Sequence, residues 1–304
     1  MSDAVSRRFL HRRSLLLAAA SVPFASACSL SPVAQSAPAS AAAGFRDIEK
    51  SLDGRLGVSA LDTGSGRRIA YRADERFPMC STFKAVLAGA ILERSTRDES
   101  LLARRIPYAA SDLVSYSPIT GPQAGKGMLV AELCDAAVRY SDNTAANLLL
   151  ALLGGPAGLT AHARAAGDET FRLDRWETEL NTALPGDPRD TTTPDAMTGH
   201  LSRLALGALL PAPQRSMLQH WLRTNTTGDT RIRAGVPAGW TVGDKTGTGS
   251  YGTANDVAVL WPPQRPPIVL TIFTTRRDKD AEPRNDILAA ATKVALAMLD
   301  ASAG

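Results

Sequence analysis

Alternating apolar residues, the mark of a half-buried strand, occur near the two ends of this 304-residue chain and are absent from its middle. Leu56, Val58 and Ala60 alternate within residues 55–62, Thr63-Gly64-Ser65-Gly66 turns, and residues 67–72 return as the second arm of a hairpin. Strand patterns resume only at residues 241–246, 256–261 and 268–275, the last two joined by the proline-rich stretch 262–267. Between residues 81 and 221 the pattern is helix and loop. The first and last segments are helical too. Phe45, Ile48 and Leu52 mark a short opening helix, and Ile287, Leu288, Ala291, Val294, Ala295, Met298 and Leu299 form one stripe of a closing helix. The expected architecture is therefore an α/β chain of the α+β type: a five-stranded antiparallel sheet flanked by the terminal helices, interrupted by an all-helical insertion. Residues 45–72 and 223–304 would form the discontinuous sheet domain and residues 73–222 the helical domain, with the active site at their interface.

Within the insertion, residues 143–153 read as a helix closed by Gly154-Gly155, with Leu148, Leu149 and Leu152 on its buried side. Thr193-Pro194 starts another, Thr193 as N-cap and Pro194 at the first helical position. The chemistry-bearing start is Ser81-Thr82-Phe83-Lys84, behind the break at Phe77-Pro78 and ahead of Val86, Leu87, Ala90 and Ile91 at helical spacing. Ser81 falls in the first turn of that helix and Lys84, at i+3, lies on the same face. A serine hydroxyl becomes a nucleophile when a neighbour accepts its proton, and an amine in a partly desolvated site is such a neighbour. The plain alternative is a helix cap followed by a surface lysine. Two facts oppose it: the chain has only six lysines and this single Ser-x-x-Lys, and Phe83, Ala85, Val86 and Leu87 surround Lys84 with apolar side chains.

Net charge excludes one class of partner. Removing Arg7, Arg8, Arg12, Arg13 and Asp3 of residues 1–43 from 34 basic and 30 acidic residues leaves 30 and 29, so no basic face for nucleic acid is expected. Those arginines precede an apolar run at residues 15–27 that is too short for a stable membrane anchor. Ser6-Arg7-Arg8-Phe9-Leu10 resembles a twin-arginine export signal, the alternative being a general secretory leader with two adjacent arginines. Ala25-Ser26-Ala27-Cys28 reads either as a small-residue cleavage site or as a loose lipoprotein box acylated at Cys28. Residues 1–27 are thus read as a signal peptide and the Ala/Ser/Pro-rich residues 28–43 as a flexible tether. A periplasmic, monomeric protein is expected. Cys80 and Cys134, both in apolar helical contexts, are expected to be free buried thiols. His162, His200 and His220 are scattered without ligand spacing, so neither a metal nor another cofactor is expected.

Three further motifs follow Ser81-x-x-Lys84 in chain order: Ser141-Asp142-Asn143, Trp176-Glu177-Thr178-Glu179-Leu180-Asn181, and Lys245-Thr246-Gly247. Each alone is common, but the set in this order resembles the class A serine β-lactamases over nearly all of residues 45–304. The resemblance implies hydrolysis of the β-lactam amide of penicillins and cephalosporins through an acyl-enzyme on Ser81. It implies that Lys84, or Glu177 through a water, is the acylation base, that Ser141 relays a proton, and that Glu177 and Asn181 position the deacylating water. Lys245, Ser141, Thr246, Thr248 and Arg231 would meet the substrate carboxylate and Asn143 its acylamino group, Tyr116 would edge the cleft, and Gly247 would also bind substrate. Arg175 and Asp190 would clamp the Glu177 loop. The resemblance has two gaps: Ala88 stands where many members place the cysteine partner of Cys134, and Gly249 where a carbapenem-hydrolysing branch places the partner of Cys80. The rival readings are a penicillin-binding D,D-peptidase, which lacks the Glu177–Asn181 pair, and a β-lactam sensor domain, which requires a transmembrane signalling region. If Arg7-Arg8 directs export, replacing both with lysine will abolish periplasmic activity while protein accumulates in the cytoplasm, as cell fractionation would show.

Overall fold

The computed structural model describes residues 39–301, so residues 7, 8 and 28 of the export and lipidation readings lie outside the described residues. The elements in order are α1 (Ala39–Leu52), β1 (Gly54–Asp62), β2 (Arg68–Tyr71), β3 (Phe77–Pro78), α2 (Phe83–Ser95), β4 (Arg105–Ile106), β5 (Met128–Leu129) and α3 (Val130–Arg139). There follow α4 (Asn143–Leu152), α5 (Pro156–Ala165), β6 (Thr191–Thr192), α6 (Pro194–Ala205), α7 (Ala212–Arg223), α8 (Ile232–Gly235), β7 (Thr241–Gly249), β8 (Thr253–Trp261), β9 (Ile268–Arg276) and α9 (Asn285–Asp300). The main sheet has the order β2-β1-β9-β8-β7, with every neighbouring pair antiparallel. The expected five-stranded sheet is present. Its closure depends on the pairing of β1 with β9, in register from Gly54 opposite Arg276 to Asp62 opposite Ile268.

The central strands are buried on both faces, and residue parity decides which core each side chain joins. Ile268, Leu270 and Ile272 pack with Phe45, Leu52, Leu288, Ala291, Ala295 and Leu299 under the terminal helices. Val269 and Phe273, on the opposite face, join Val257 and Val259 in a larger apolar cluster with α2 and the helical segments. Helix α2 has no polar face: Phe83 to Leu92 are all buried, which is the pattern of a helix enclosed by other helices. Gly89 lets it approach α6 closely, since a Cβ there would come within 2.7 Å of the Leu204 side chain.

Four sequence expectations need correction. Helix α1 begins at Ala39, inside the stretch read as a tether; Ala and Ser after Pro38 have adequate helix propensity once a helix follows. Ser81 sits in a 3-10 turn, Cys80–Thr82, which leads into α2, and not in the α-helix proper. The middle of the chain is not free of strands: β3 pairs with β6 and β4 with β5, but two-residue ladders are too short to leave an alternating pattern. On α4, Leu149 and Leu150 are buried, whereas Leu148 and Leu152 are half-buried against the core. Helix α6 begins as read, with Thr193 Oγ1 accepting the Ala196 N–H at 3.2 Å. Thr193→Ala should therefore lower stability by about 1 kcal/mol, seen as a lower urea midpoint at unchanged denaturant slope.

Candidate active site

The 3-10 turn before α2 and the first turn of that helix place Ser81 and Lys84 at one buried junction. Ser81 Oγ donates to Glu177 Oε1 at 3.1 Å. Lys84 Nζ lies 3.0 Å from the same carboxylate oxygen, 2.8 Å from the Ser141 carbonyl and 2.6 Å from Asn143 Oδ1. All three of these partners accept, so the resting amine spends its three N–H bonds as an ammonium. Burial lowers the Lys84 pKa from its ordinary value, and the Glu177 charge opposes that shift.

Ser141 and Asn143 reach Lys84 because of the turn that starts α4. Ser141 adopts a positive φ of 57°, and Asp142 caps the helix by accepting the Ala145 N–H at 2.9 Å. The same carboxylate takes the N–H groups of Ile119 and Thr120 and the Thr120 hydroxyl, tying the loop that carries Tyr116 to the helix start. Asn143 Nδ2 donates to the Ser115 carbonyl at 2.9 Å, so one amide hydrogen is used internally and the other is left for a ligand. Tyr116 itself is 60% exposed at the cleft mouth.

Glu177 is placed by the loop between α5 and β6. Asn181 Nδ2 donates to Glu177 Oε2 at 2.6 Å, and Asn147 of α4 brackets the Glu177 backbone, its Oδ1 accepting the N–H and its Nδ2 donating to the carbonyl. The expected clamp is formed: Arg175 Nε donates to Asp190 Oδ2 at 2.6 Å, and Asp190 Oδ1 accepts the Asp174 and Arg175 N–H groups.

Strand β7 forms the opposite wall. Lys245 Nζ, fully buried, donates to Ser141 Oγ at 3.0 Å and to the Thr246 carbonyl at 2.8 Å. Burial drives its pKa well below the ordinary value, and the nearby Lys84 charge lowers it further. Arg231 Nη1 donates to the Gly247 and Asn255 carbonyls and Nη2 to Thr248 Oγ1, each at 2.7 Å, with Nε held by Asn285. A cleft of about 390 Å³ opens between these walls, lined by Ser81, Tyr116, Ser141, Asn143, Asn181, Thr227, Arg231 and Thr246–Thr248. Lys84, Glu177 and Lys245 lie beneath it. All twelve residues singled out in the sequence converge on one place.

A family model described as the beta-lactamase enzyme family matches residues 40–299. Beta-lactamase AST-1 of Nocardia asteroides is 53% identical over 301 residues, covering 96% of this chain and 97% of the relative. The carbapenem-hydrolyzing beta-lactamase KPC of Klebsiella oxytoca is 53% identical over 290 residues, 94% of this chain and 97% of its own length. The solved beta-lactamase of Desulfarculus baarsii is 64% identical, with a TM-score of 0.85 over 87% of this chain and 98% of that one. The chain is a class A β-lactamase.

Beside its motif residues the β-lactamase uses side chains that the sequence did not point to, because their signal is purely spatial. Asn147 is one. A chain of hydrogen bonds behind β7 is another. Asp244 takes Arg233 Nε at 2.6 Å and Asn225 Nδ2 at 2.6 Å, which fixes the Asn225 oxygen toward Thr227. That oxygen accepts the Thr227 N–H and, at 2.9 Å, its hydroxyl. The Thr227 and Thr246 hydroxyls lie 2.5 Å apart, and with the Thr227 hydrogen already committed it is Thr246 that donates. His162 and His200, distant in sequence, stack with ring centroids 6.5 Å apart away from the cleft, with His200 bonded to Asp168. Cys80 and Cys134 are free and buried, and burial pushes both thiols up. A Cβ at Gly249 would lie 2.7 Å from Cys80 Sγ, so the glycine lets β7 pass close to the turn that carries Ser81.

For Thr246 to donate to an anionic ligand, Thr227 must turn its hydroxyl from Asn225 to Thr246. Thr227→Val removes that support. KM for a carboxylate-bearing β-lactam should rise about 2- to 10-fold, the worth of one hydrogen bond of 0.5–1.5 kcal/mol, with kcat and Tm nearly unchanged in steady-state kinetics and thermal melting.

Proposed function

We propose that this β-lactamase hydrolyses penicillins and cephalosporins through an acyl-enzyme on Ser81. The observation that carries the reading is the Glu177 carboxylate, which holds the Ser81 hydroxyl through one oxygen and Asn181 through the other. In the resting arrangement Glu177 is the group positioned to accept the Ser81 proton, because Lys84 has no free lone pair while it donates to three acceptors. Lys84 touches the same carboxylate oxygen and can give one of its protons to Ser141 Oγ, then take up the proton held by Glu177. The backbone N–H groups of Ser81 and Thr248, both residues of the cleft lining, would hold the oxyanion. Ser141, between Lys84 and Lys245, would hand a proton to the leaving nitrogen.

Lys245, Ser141, Thr246, Thr248 and Arg231 would receive the substrate carboxylate. Asn143 would donate its remaining amide hydrogen to the acylamino group. Asn181 Oδ1 is buried without a hydrogen-bond partner among the described residues and borders the cleft, so it is available to a ligand N–H or to a deacylating water. With Gly249 opposite Cys80, no disulfide braces this wall, and the reading stays with penicillins and cephalosporins. Export to the periplasm, with either cleavage at Ala25-Ser26-Ala27 or a lipid anchor at Cys28, and a monomeric state belong to the same proposal. So does the division into a sheet domain and a helical domain, supported by the two apolar clusters on the two faces of the sheet.

Removing Glu177 separates the two half-reactions: without the carboxylate that favours its ammonium form, buried Lys84 can lose a proton and take that of Ser81, whereas no base remains for the deacylating water. Glu177→Ala should trap one penicillin per chain, seen as an added ligand mass on the intact protein, with turnover reduced by at least the roughly 10²- to 10⁴-fold of general-base catalysis. Ser81→Ala should carry no adduct. Near-wild-type turnover in Glu177→Ala would overturn the assignment of this loop.

A further inference from the structure

On the far side of the Glu177 loop is a second cleft, about 670 Å³ against about 390 Å³ for the catalytic one. Its floor is the paired ends of β1 and β9, one wall is the segment from Arg72 to Pro78, and the other is residues 183–188, the distal part of the Glu177 loop. Five arginines line it, Arg55, Arg72, Arg76, Arg276 and Arg277, against one acidic residue, Asp187. Asp187 is already bound by Arg189 at 2.7 Å.

The arginines are not equally compensated. Arg55 and Arg72 pair with Glu75 and Glu49. Arg277 lies 3.5 Å from Asp53 with both side chains largely exposed, a pairing that removes little charge. Arg76 and Arg276 have no carboxylate partner among the described residues. Arg76 Nη1 donates to the Thr170 carbonyl and Thr191 Oγ1, and Arg276 donates through Nε to the Leu52 carbonyl and through Nη1 to that of Glu282. Each guanidinium is thus held by neutral acceptors and keeps its full charge and further N–H groups for a ligand. The loop wall is apolar: Ala183, Pro185, Pro188 and Leu184, the last 42% exposed. A concave site with fixed cations on one side and apolar surface on the other selects for charge and shape together.

We propose that this cleft binds an amphipathic anion, a carboxylate or phosphate carried on an apolar body, at a site separate from the catalytic cleft. None of the five arginines takes part in the hydrolytic machinery. The site touches that machinery at two points, because Asn181 and Asp190 flank the 183–188 wall and Pro78 precedes the Ser81 turn.

The test uses the full mature enzyme and four probes: 1-naphthyl phosphate, 1-naphthoate, neutral 1-naphthol and inorganic phosphate. Calorimetric titration should show the two naphthyl anions binding at least about tenfold more tightly than naphthol or phosphate, with affinity falling as salt rises. Comparing the two anions decides which acid the site prefers. Arg76→Gln/Arg276→Gln should weaken the preferred anion by about tenfold or more. Arg277→Glu, at the exposed rim, does so without touching a buried contact, and an unchanged Tm shows that the fold is intact. At saturating probe the KM of a β-lactam substrate should stay constant. A competitive rise in KM, or binding indifferent to both arginine variants, would overturn the proposal.

Discussion

The Glu177 carboxylate, sealed from solvent between Lys84 and Ser81, is the interaction on which the remainder of the structure depends. Removing an ammonium and a carboxylate from water costs several kcal/mol per ion, recovered only when every remaining donor and acceptor finds a partner. Here the partners come from three distant segments: the Ser81 turn, the start of α4 and the Glu177 loop. Lys245 adds a second buried cation, relieved through Ser141 Oγ and the Thr246 carbonyl. The fold is therefore organised to bring polar groups to buried charges as much as to bury apolar surface.

Long loops are ordinarily the mobile part of a fold, yet this one holds Glu177 within a hydrogen bond of Ser81. It is fastened at each stage. Asn147 holds the Glu177 backbone, Asn181 its carboxylate, Arg175–Asp190 the neck, and the β3–β6 ladder the exit. The Asn181 carbonyl also takes the Ser250 N–H, joining the loop to the end of β7. Between these fastenings, residues 183–188 stand as a wall with the arginine cleft behind them.

The sheet side of the cleft balances buried charge of its own. Burial raises the Asp256 pKa well above its ordinary value, and the neighbouring Asp244 raises it further. Arg231 counters this from the same region and is drawn toward the cleft by Thr248. Because the Asn255 carbonyl accepts from Arg231 and its Nδ2 donates to the Pro78 carbonyl, one residue of β8 ties the cation-bearing wall to the segment leading into the Ser81 turn.

The sequence by itself determined the sheet, the terminal helices and the motifs whose residues line the cleft. Those signals are local: alternation in β1, β7, β8 and β9, a 3.6-residue stripe in α9, and four short motifs whose spacing reflects the turns that hold them. It left β3–β6 and β4–β5 undetected, since two residues carry no period, and it placed Leu148 and Leu152 too deep because burial on α4 depends on which helices surround it. Only the tertiary structure decided that Asn147 brackets Glu177, that Asn225 and Thr227 set the direction of the Thr246 hydrogen, and that five arginines from three segments face one cleft. Those relations join residues far apart along the chain, and the direction of a hydrogen bond depends on the whole set of partners. No window of sequence contains that set.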